Sequence, residues 1–396
     1  MLIGLVGKPS AGKSTFFKAA TLAEVAIAAY PFTTIKPNTG VGYVKVECID
    51  KEFNTKCNPS HGFCVDGKRF VPVEIMDVAG LVPGASEGKG LGNQFLDDLR
   101  QADAFIQVVD CSGRSNEKGE QLPEGKTRDP ADDIKFLEEE LNLWFYNLLM
   151  KVWKSFSKKT EMERGKFSEA VAKQFSGLRV KEEYVKDVLR NLNLSEKPSE
   201  WSEKQLRNFA EGLRRKSKPM IIAANKIDLP GAIDNYRKLR ADFPNLNIVP
   251  CSADSELALR EASKAGLIEY IPGEKDFKII GELNEKQKDA LEKIREKFKD
   301  FVGGTGVQSI LNNAVFGLLS YIPIFPASAN KLADSKGNIL PDCFLLPPGS
   351  TALDFAYFLH TDFGENFIKA IDARTKKALG KNYELKPRDA LEIVTR

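Results

Sequence analysis

The chain has 396 residues, 42% of them hydrophobic and 29% charged, with a formal net charge of +3. That length supports two or three domains with a sizeable core, and the near-neutral balance excludes any partner argued from bulk charge alone. Six cysteines scattered over so long a chain exclude a disulfide framework, and the longest apolar stretch, "NAVFGLLSYIPIFPASA", carries Pro323 and Pro326 and falls short of the roughly 20 residues a membrane span needs. A soluble, cytoplasmic protein is the expectation.

The first predicted element is the strand "MLIGLV". It runs directly into "GKPSAGKST", residues 7 to 15, which fits G-x-x-x-x-G-K-[ST] position for position and is followed by the helix-like "TFFKAATLA". In that setting the loop of Gly7, Lys8, Pro9, Ser10, Ala11 and Gly12 wraps a phosphate chain with the backbone N–H groups of its residues other than Pro9, and the helix N-terminus adds its positive dipole end. Lys13 then reaches the β and γ phosphates, Ser14 takes Mg²⁺, and Thr15 closes the loop. A tight glycine turn with no ligand is the plainer alternative, which the complete spacing and flanks argue against.

Next comes "YPFTTIKPNTGVGYV", a Pro-punctuated loop in which Thr33 or Thr34 could set a hydroxyl on Mg²⁺ and a backbone N–H on the γ-phosphate. After it, "CNPSHGFC" reads as part of an extended hairpin. Cys48, Cys57, His61 and Cys64 could together hold tetrahedral zinc, but C-x₃-H-x₂-C is not a strong zinc spacing, and the plainer reading is a turn packed by small cysteines. The strand "FVPVEIM" ends in "DVAG": Asp77 can hold Mg²⁺ through water, and the Gly80 N–H can meet a γ-phosphate. Leu81 follows, where many GTPases carry a water-positioning glutamine, so slow intrinsic hydrolysis is expected.

From Asp110, which ends "AFIQVVD", about a hundred residues pass before the next strand, where a βαβ unit needs roughly 30. A helical insertion over about 129–216 is predicted, opened by Asp129 and Pro130, with apolar residues 137, 141, 144, 145, 148 and 152 on one face. Residues 151 to 216 hold 17 Lys or Arg against 10 Asp or Glu. That excess suits an RNA surface, while the interleaving of Lys with Glu equally suits a solvated helical face. The strand "PMIIAANKID" then ends in N-K-x-D. Asp228 can accept two hydrogen bonds from the paired donors of a guanine edge, Asn225 braces the site, and the Lys226 stem covers a base face. Ser252 and Ala253, at the end of "NIVPCSA", can back the base.

At the C-terminal end, "LNEKQKDALEKIREKFKDF" and "VQSILNNAVFGLLSYI" read as two helices, giving a connector over 276–319. From about 320 to 396, short strands surround one helix in "PPGSTALDFAYFLHTDFG", with Ser350 as its cap and His360 at its end in a capping or packing role.

"GKPSAGKSTFF", "YPFTTIKPNTG", "DVAGLVPGASEGKGLGNQFL" and "NKID" together resemble the Obg-related translation-factor GTPases, and the whole chain resembles the archaeal type of their YchF branch. The 320–396 segment resembles the TGS domain, a ubiquitin-like β-grasp module. The resemblance implies a P-loop NTPase fold, α/β with a doubly wound, mainly parallel sheet, spanning 1–275 with the insertion inside it and the β-grasp after it. It also implies phosphate and Mg²⁺ roles for Gly7, Gly12, Lys13, Ser14 and Thr15, Thr34 as the switch threonine, Asp77 and Gly80 toward the γ-phosphate, a second switch from Gly84 to Phe95, and ribosome or RNA as partner. Two departures bear on it. Ser10 stands where many relatives carry an asparagine linked to monovalent-cation activation, and Asp228 is kept where several members have lost the aspartate and prefer ATP. The expectation is a slow, Mg²⁺-dependent GTPase. An ATP-preferring hydrolase, a P-loop metabolite kinase and an RNA-binding module with nucleotide as a structural ligand are the alternatives.

Overall fold

In the computed structural model, the described residues are 1–21, 39–78, 99–162, 166–195, 197–299, 301, 303–328, 332–334 and 337–396. The apolar runs form strands β1 (Leu2–Val6), β2 (Thr39–Glu47), β3 (Phe63–Val65), β4 (Lys68–Asp77), β5 (Ala104–Asp110), β6 (Met220–Asn225) and β7 (Ile248–Pro250). They build one seven-stranded sheet in the order β2-β4-β1-β5-β6-β7, with β3 on β4. β1 pairs in parallel with β4 and β5, β5 with β6, and β6 with β7; β3 runs antiparallel to β4. Every residue of β5 is buried, as a central parallel strand covered on both faces requires. Parallel order brings the ends of β1, β4, β5, β6 and β7 to one edge, so Gly7, Asp77, Asp110, Asn225 and Cys251 gather where an open α/β sheet binds ligands.

The chain divides into two units, one consisting chiefly of Met1–Ala19 and Glu74–Ile310, the other of Val41–Val73 and Leu311–Arg396. In the first, helix α1 (Lys13–Thr21) follows β1. Between β5 and β6 stand α2 (Ala131–Met162), α3 (Phe167–Gln174), α4 (Glu182–Leu192) and α5 (Glu203–Ser217). Asp129 Oδ1 accepts from the Ala131 N–H at 3.0 Å, capping α2. The buried face of α2 runs as the spacing predicts, with Leu137, Leu141, Trp144 and Phe145 buried and Leu148 and Val152 packed against the same core cluster, and it widens to take in Leu149 and Trp153. Trp153, Phe167, Trp201 and Phe209 close an aromatic cluster within it, Trp201 and Phe209 at 5.0 Å between ring centroids.

Inside the insertion, Arg214 is only 1% exposed, its Nη2 2.6 Å from Glu138 Oε2 and its Nε 2.9 Å from Asn142 Oδ1. Removing one partner of a buried pair strands the other charge. The Glu138→Ala variant should therefore unfold about 3 kcal/mol more easily, measured by urea titration monitored by tryptophan fluorescence. Many of the insertion's other cations are also occupied: Lys186 with Glu182, Arg207 with Glu203, Lys216 with Asp187 and Arg215 with Glu211.

After β6 come α6 (Ala232–Asp242), β7, α7 (Ala253–Lys264), the small hairpin β8 (Ile268–Glu269) and β9 (Lys278–Ile279), and α8 (Glu285–Phe298). Asn284 and Gln287 form a reciprocal cap on α8, and its Phe298 joins Ile222, Leu239 and Ile248 in one core cluster. α9 (Val307–Asn312) does not continue as the single apolar helix expected; from Asn313 to Leu318 the turns are π-helical.

The second unit contains the C-terminal sheet of β10 (Ile322–Pro326), β11 (Phe344–Leu346), β12 (Phe367–Asp372), β13 (Ala378–Leu379) and β14 (Ala390–Thr395), in the order β11-β10-β14-β12-β13. β10 and β14 are parallel and the other pairs antiparallel, the mixed sheet of a β-grasp. Helix α10 (Ala352–Leu359) buries Phe355 against Ile324, Leu346, Leu385 and Leu391. Its cap is Thr351, in a reciprocal pair with Asp354, and not Ser350, whose hydroxyl donates to the Pro347 carbonyl at 2.8 Å. His360 Nδ1 accepts from the Asp362 N–H at 3.1 Å, capping the short helix α11 (Thr361–Glu365). Among the described residues no helix is long and apolar enough to cross a membrane.

Candidate nucleotide site

The turn from β1 to α1 has little conformational freedom. Gly7 adopts φ 147° and Gly12 φ 97°, in the region that favours glycine. A Cβ on Gly7 would lie 2.4 Å from the Val108 carbonyl oxygen of β5, and one on Gly12 would lie 2.3 Å from Asn225 Nδ2. Both glycines let the loop lie flat across the ends of β5 and β6. Ser10 is exposed at its crest with φ 59°, and Ala11 is buried beneath.

Lys13 opens α1, and its ammonium folds back over the loop to donate to the carbonyls of Gly7 and Lys8, each at 3.1 Å. Burial lowers its pKa, and the nearby Asp77 carboxylate opposes that shift. The Lys8 side chain turns away from the loop, to the Ser115 carbonyl at 2.9 Å and to Asp133 at 2.9 Å, so only its main chain belongs to the cradle. Ser14 Oγ is 3.1 Å from Asp77 Oδ2, across the gap between α1 and β4. The other oxygen, Asp77 Oδ1, is buried without a hydrogen-bond partner among the described residues. A hydroxyl and a half-satisfied carboxylate side by side at a phosphate loop make the donor set of a hard divalent cation such as Mg²⁺. Pro9 and Thr15 flank these groups in sequence. Thr34 and Gly80, assigned from sequence to Mg²⁺ and the γ-phosphate, lie outside the described residues.

The N-K-x-D segment is joined to this loop directly. Asn225 Nδ2 donates to the Ala11 carbonyl at 2.9 Å, and Asn225 Oδ1 accepts from the Ala253 N–H at 3.0 Å. One amide thus bridges the phosphate loop to the turn after β7. The Asn225→Ala variant leaves both partners unpaired and should weaken nucleotide binding about 10- to 100-fold, read by calorimetry. Lys226 takes φ 62° and lays its stem over the loop, its Nζ 2.8 Å from the Ser10 carbonyl and 2.8 Å from Asp110 Oδ2. The Asp228 carboxylate is half-buried and makes no hydrogen bond among the described residues; its carbonyl accepts from Lys297 Nζ at 3.0 Å. Ser252 and Ala253 do adjoin the segment, but Ser252 Oγ caps α7 at Ser255, and the Ala253 N–H is taken by Asn225.

Sequence reasoning missed Asp110. Burial pushes its carboxyl up, but Lys226, Ser112 and Ser115 together outweigh burial and hold it below its ordinary value. It anchors Lys226, and the signal was available: an acidic residue at a strand end, followed by "CSG", at the edge that carries the other motifs. Also missed was the buried Glu256, bonded to Arg260, Tyr270 and Thr305, which steadies the turn where the Thr305 carbonyl accepts from the Ser252 N–H at 2.9 Å. Of the zinc set read from sequence, Cys48, Cys57 and Cys64 come together and His61 is not in the group. His61 Nδ1 pairs with Asp342 Oδ1 at 2.7 Å, while Cys48, Cys57 and Cys64 cluster with Asp50.

Family profiles match three stretches: the 50S ribosome-binding GTPase family over residues 2–141, the G4 motif-containing domain of YGR210-like Obg-like GTPases over 223–328, and the TGS domain over 336–395. A GTP-binding protein of Methanocaldococcus jannaschii is 48% identical over 100% of this chain and 99% of its own length. A ribosome-binding ATPase of the YchF type from Bacillus subtilis is 29% identical over 93% of this chain and 87% of its own. The crystal structure of a GTP-binding protein from Pyrococcus horikoshii is 39% identical and covers 100% of both chains with a TM-score of 0.78. Whole-length identity at this level, with the G-domain and TGS profiles in the same order, means that the chain belongs to the Obg-like, YchF-type GTPases with a C-terminal TGS domain.

Proposed function

We propose that this protein is a Mg²⁺-dependent guanine-nucleotide switch that hydrolyses GTP slowly and acts on the ribosome. The observation that carries the guanine reading is the bonding of Asn225 and Lys226 to the Ala11 and Ser10 carbonyls, which fixes the N-K-x-D segment to the phosphate loop and leaves the Asp228 carboxylate without a hydrogen-bond partner among the described residues. A carboxylate held there can take the two adjacent donors of guanine, and adenine offers no such pair. Ser14 and Asp77 would hold Mg²⁺, with Thr34 completing the set; bound there, the ion would neutralise charge on the phosphates. Lys13 would stabilise the charge that develops on the transferred phosphoryl group, together with loop N–H groups and the Gly80 N–H.

Slow turnover rests on Leu81, which can neither orient nor deprotonate water. The ribosome enters from the 50S ribosome-binding family profile and from the ribosome-binding name of the Bacillus subtilis relative. That relative is also called an ATPase, which supports a second reading in which this chain prefers ATP. Co-sedimentation with ribosomes in GDP and in a non-hydrolysable GTP analogue, at two salt concentrations, tests the switch. Nucleotide-dependent pelleting supports it. Pelleting that follows salt and ignores nucleotide would favour a plain RNA-binding module.

A further inference from the structure

The cysteine cluster lies in the second unit, away from the phosphate-loop motifs in sequence, and the nucleotide reading gives it no role. Cys48 follows β2, Asp50 opens a 3₁₀ turn over Asp50–Phe53, Cys57 is in the loop after it, and Cys64 is on β3. One ligand atom from each of the four lies within 4.8 Å of the others. Cys48 Sγ and Cys57 Sγ are 3.7 Å apart. A regular tetrahedron with Zn–S bonds of about 2.3 Å has an S···S edge of about 3.8 Å, whereas a disulfide needs about 2.05 Å.

The surroundings hold this arrangement in place. The β3–β4 turn is Asp66-Gly67, with φ 51° and 77°, the two-residue hairpin that Asn-Gly or Asp-Gly sequences favour. Cys48 N–H donates to the Gly67 carbonyl at 2.8 Å, which ties the end of β2 to that turn. Farther along the loop, the N–H groups of Asn58 and Ser60 donate to the Ile339 and Pro341 carbonyls, each at 2.8 Å, and His61 is held by Asp342. Neither ring nitrogen of His61 belongs to the four-residue group.

The second, independent observation is Arg69, opposite Cys64 in the β3–β4 register and 0% exposed. Its Nη2 donates to the Leu340 carbonyl at 2.6 Å and lies 4.0 Å from Cys48 Sγ; its Nε and Nη1 have no hydrogen-bond partner among the described residues. A fully buried guanidinium needs negative charge nearby, and neutral thiols supply none. Three thiolates and a carboxylate on a divalent ion leave two net negative charges, one of which Arg69 offsets.

We propose that Cys48, Asp50, Cys57 and Cys64 form a tetrahedral structural zinc site, with the buried Arg69 as its counter-charge. Thiolate-rich sets of this kind favour zinc over the hard cations that suit the phosphate loop. The ion ties the end of β2 and the following turn to the β3–β4 hairpin.

The test uses the full-length chain without an affinity tag, purified without chelator, with metal counted by plasma mass spectrometry. About one zinc per chain is expected, and cobalt exchanged into the site should show the intense visible bands of tetrahedral thiolate coordination. The Cys57→Ser and Cys64→Ser variants should lose the metal, whereas His61→Ala should keep it. Should the serine variants fail to fold, the cobalt spectrum of the unaltered chain still decides the coordination. Protein that has reduced thiols yet neither carries nor takes up zinc or cobalt overturns the proposal, as does a Cys48–Cys57 disulfide in the native chain. Metal lost in His61→Ala and kept in Asp50→Ala overturns the ligand set.

Discussion

The Lys13→Ala variant is expected to hydrolyse GTP about 100- to 1,000-fold more slowly than the unaltered chain at saturating nucleotide. Phosphoryl transfer leaves the protein little covalent chemistry to perform, so the rate depends on charge fixed in advance around the phosphates. Lys13 is 9% exposed and already held over the loop by the Gly7 and Lys8 carbonyls, so its ammonium needs little rearrangement to meet a γ-phosphate. Burial lowers its pKa from an ordinary value well above neutrality, and Asp77 counters that effect, which favours the charged form. Alanine removes this charge without touching the loop glycines, so GDP affinity should fall less than triphosphate affinity. Phosphate release under multiple turnover checks it, with circular dichroism confirming the fold. Turnover within about threefold of the unaltered chain would exclude Lys13 from the chemistry.

Asp228→Asn carries the second large effect, in binding and not in rate. The carboxylate offers two acceptor oxygens to the paired donors of guanine, and such charge-assisted pairs are the stronger hydrogen bonds. The amide keeps one acceptor and sets an NH₂ donor against a donor on the base, so one bond is lost and a buried polar group is left unpaired. GTP affinity should fall about 100- to 1,000-fold, while ATP affinity should change by no more than a few fold. A purine with an oxygen at the same edge, as in xanthosine triphosphate, matches the new donor and should gain affinity. Calorimetric titrations with the three nucleotides check both parts. An equal loss for GTP and ATP would mean that the substitution disturbed the loop itself.

The motif-bearing sheet edge was legible from sequence because each motif terminates an apolar run, and a buried parallel strand has few alternatives to that pattern. The helical insertion was legible from its length and periodicity, and Leu148 and Val152 pack on the core as that spacing requires; only the widening of the buried face to Leu149 and Trp153 escaped, since it depends on the other helices packed around α2. What sequence could not supply was pairing between distant segments. The Lys8 side chain pairs with Asp133 while its main chain stays in the loop, and His61 pairs with Asp342, neither of which the sequence spacing shows. Asp50, two residues after Cys48, was passed over because carboxylates are common at turns and its nearness to Cys57 and Cys64 depends on the hairpin register. Ser350 and Thr351 are both good caps, and the choice between them depends on the reach of Asp354.

The central claim is that the phosphate loop and the N-K-x-D segment form one guanine site. Calorimetric titration of the unaltered chain with GTP and ATP, both with Mg²⁺, tests it most directly. The account predicts that GTP binds at least about 100-fold more tightly than ATP. Equal or tighter binding of ATP would contradict it, since the Asp228 carboxylate would then not be reading the base.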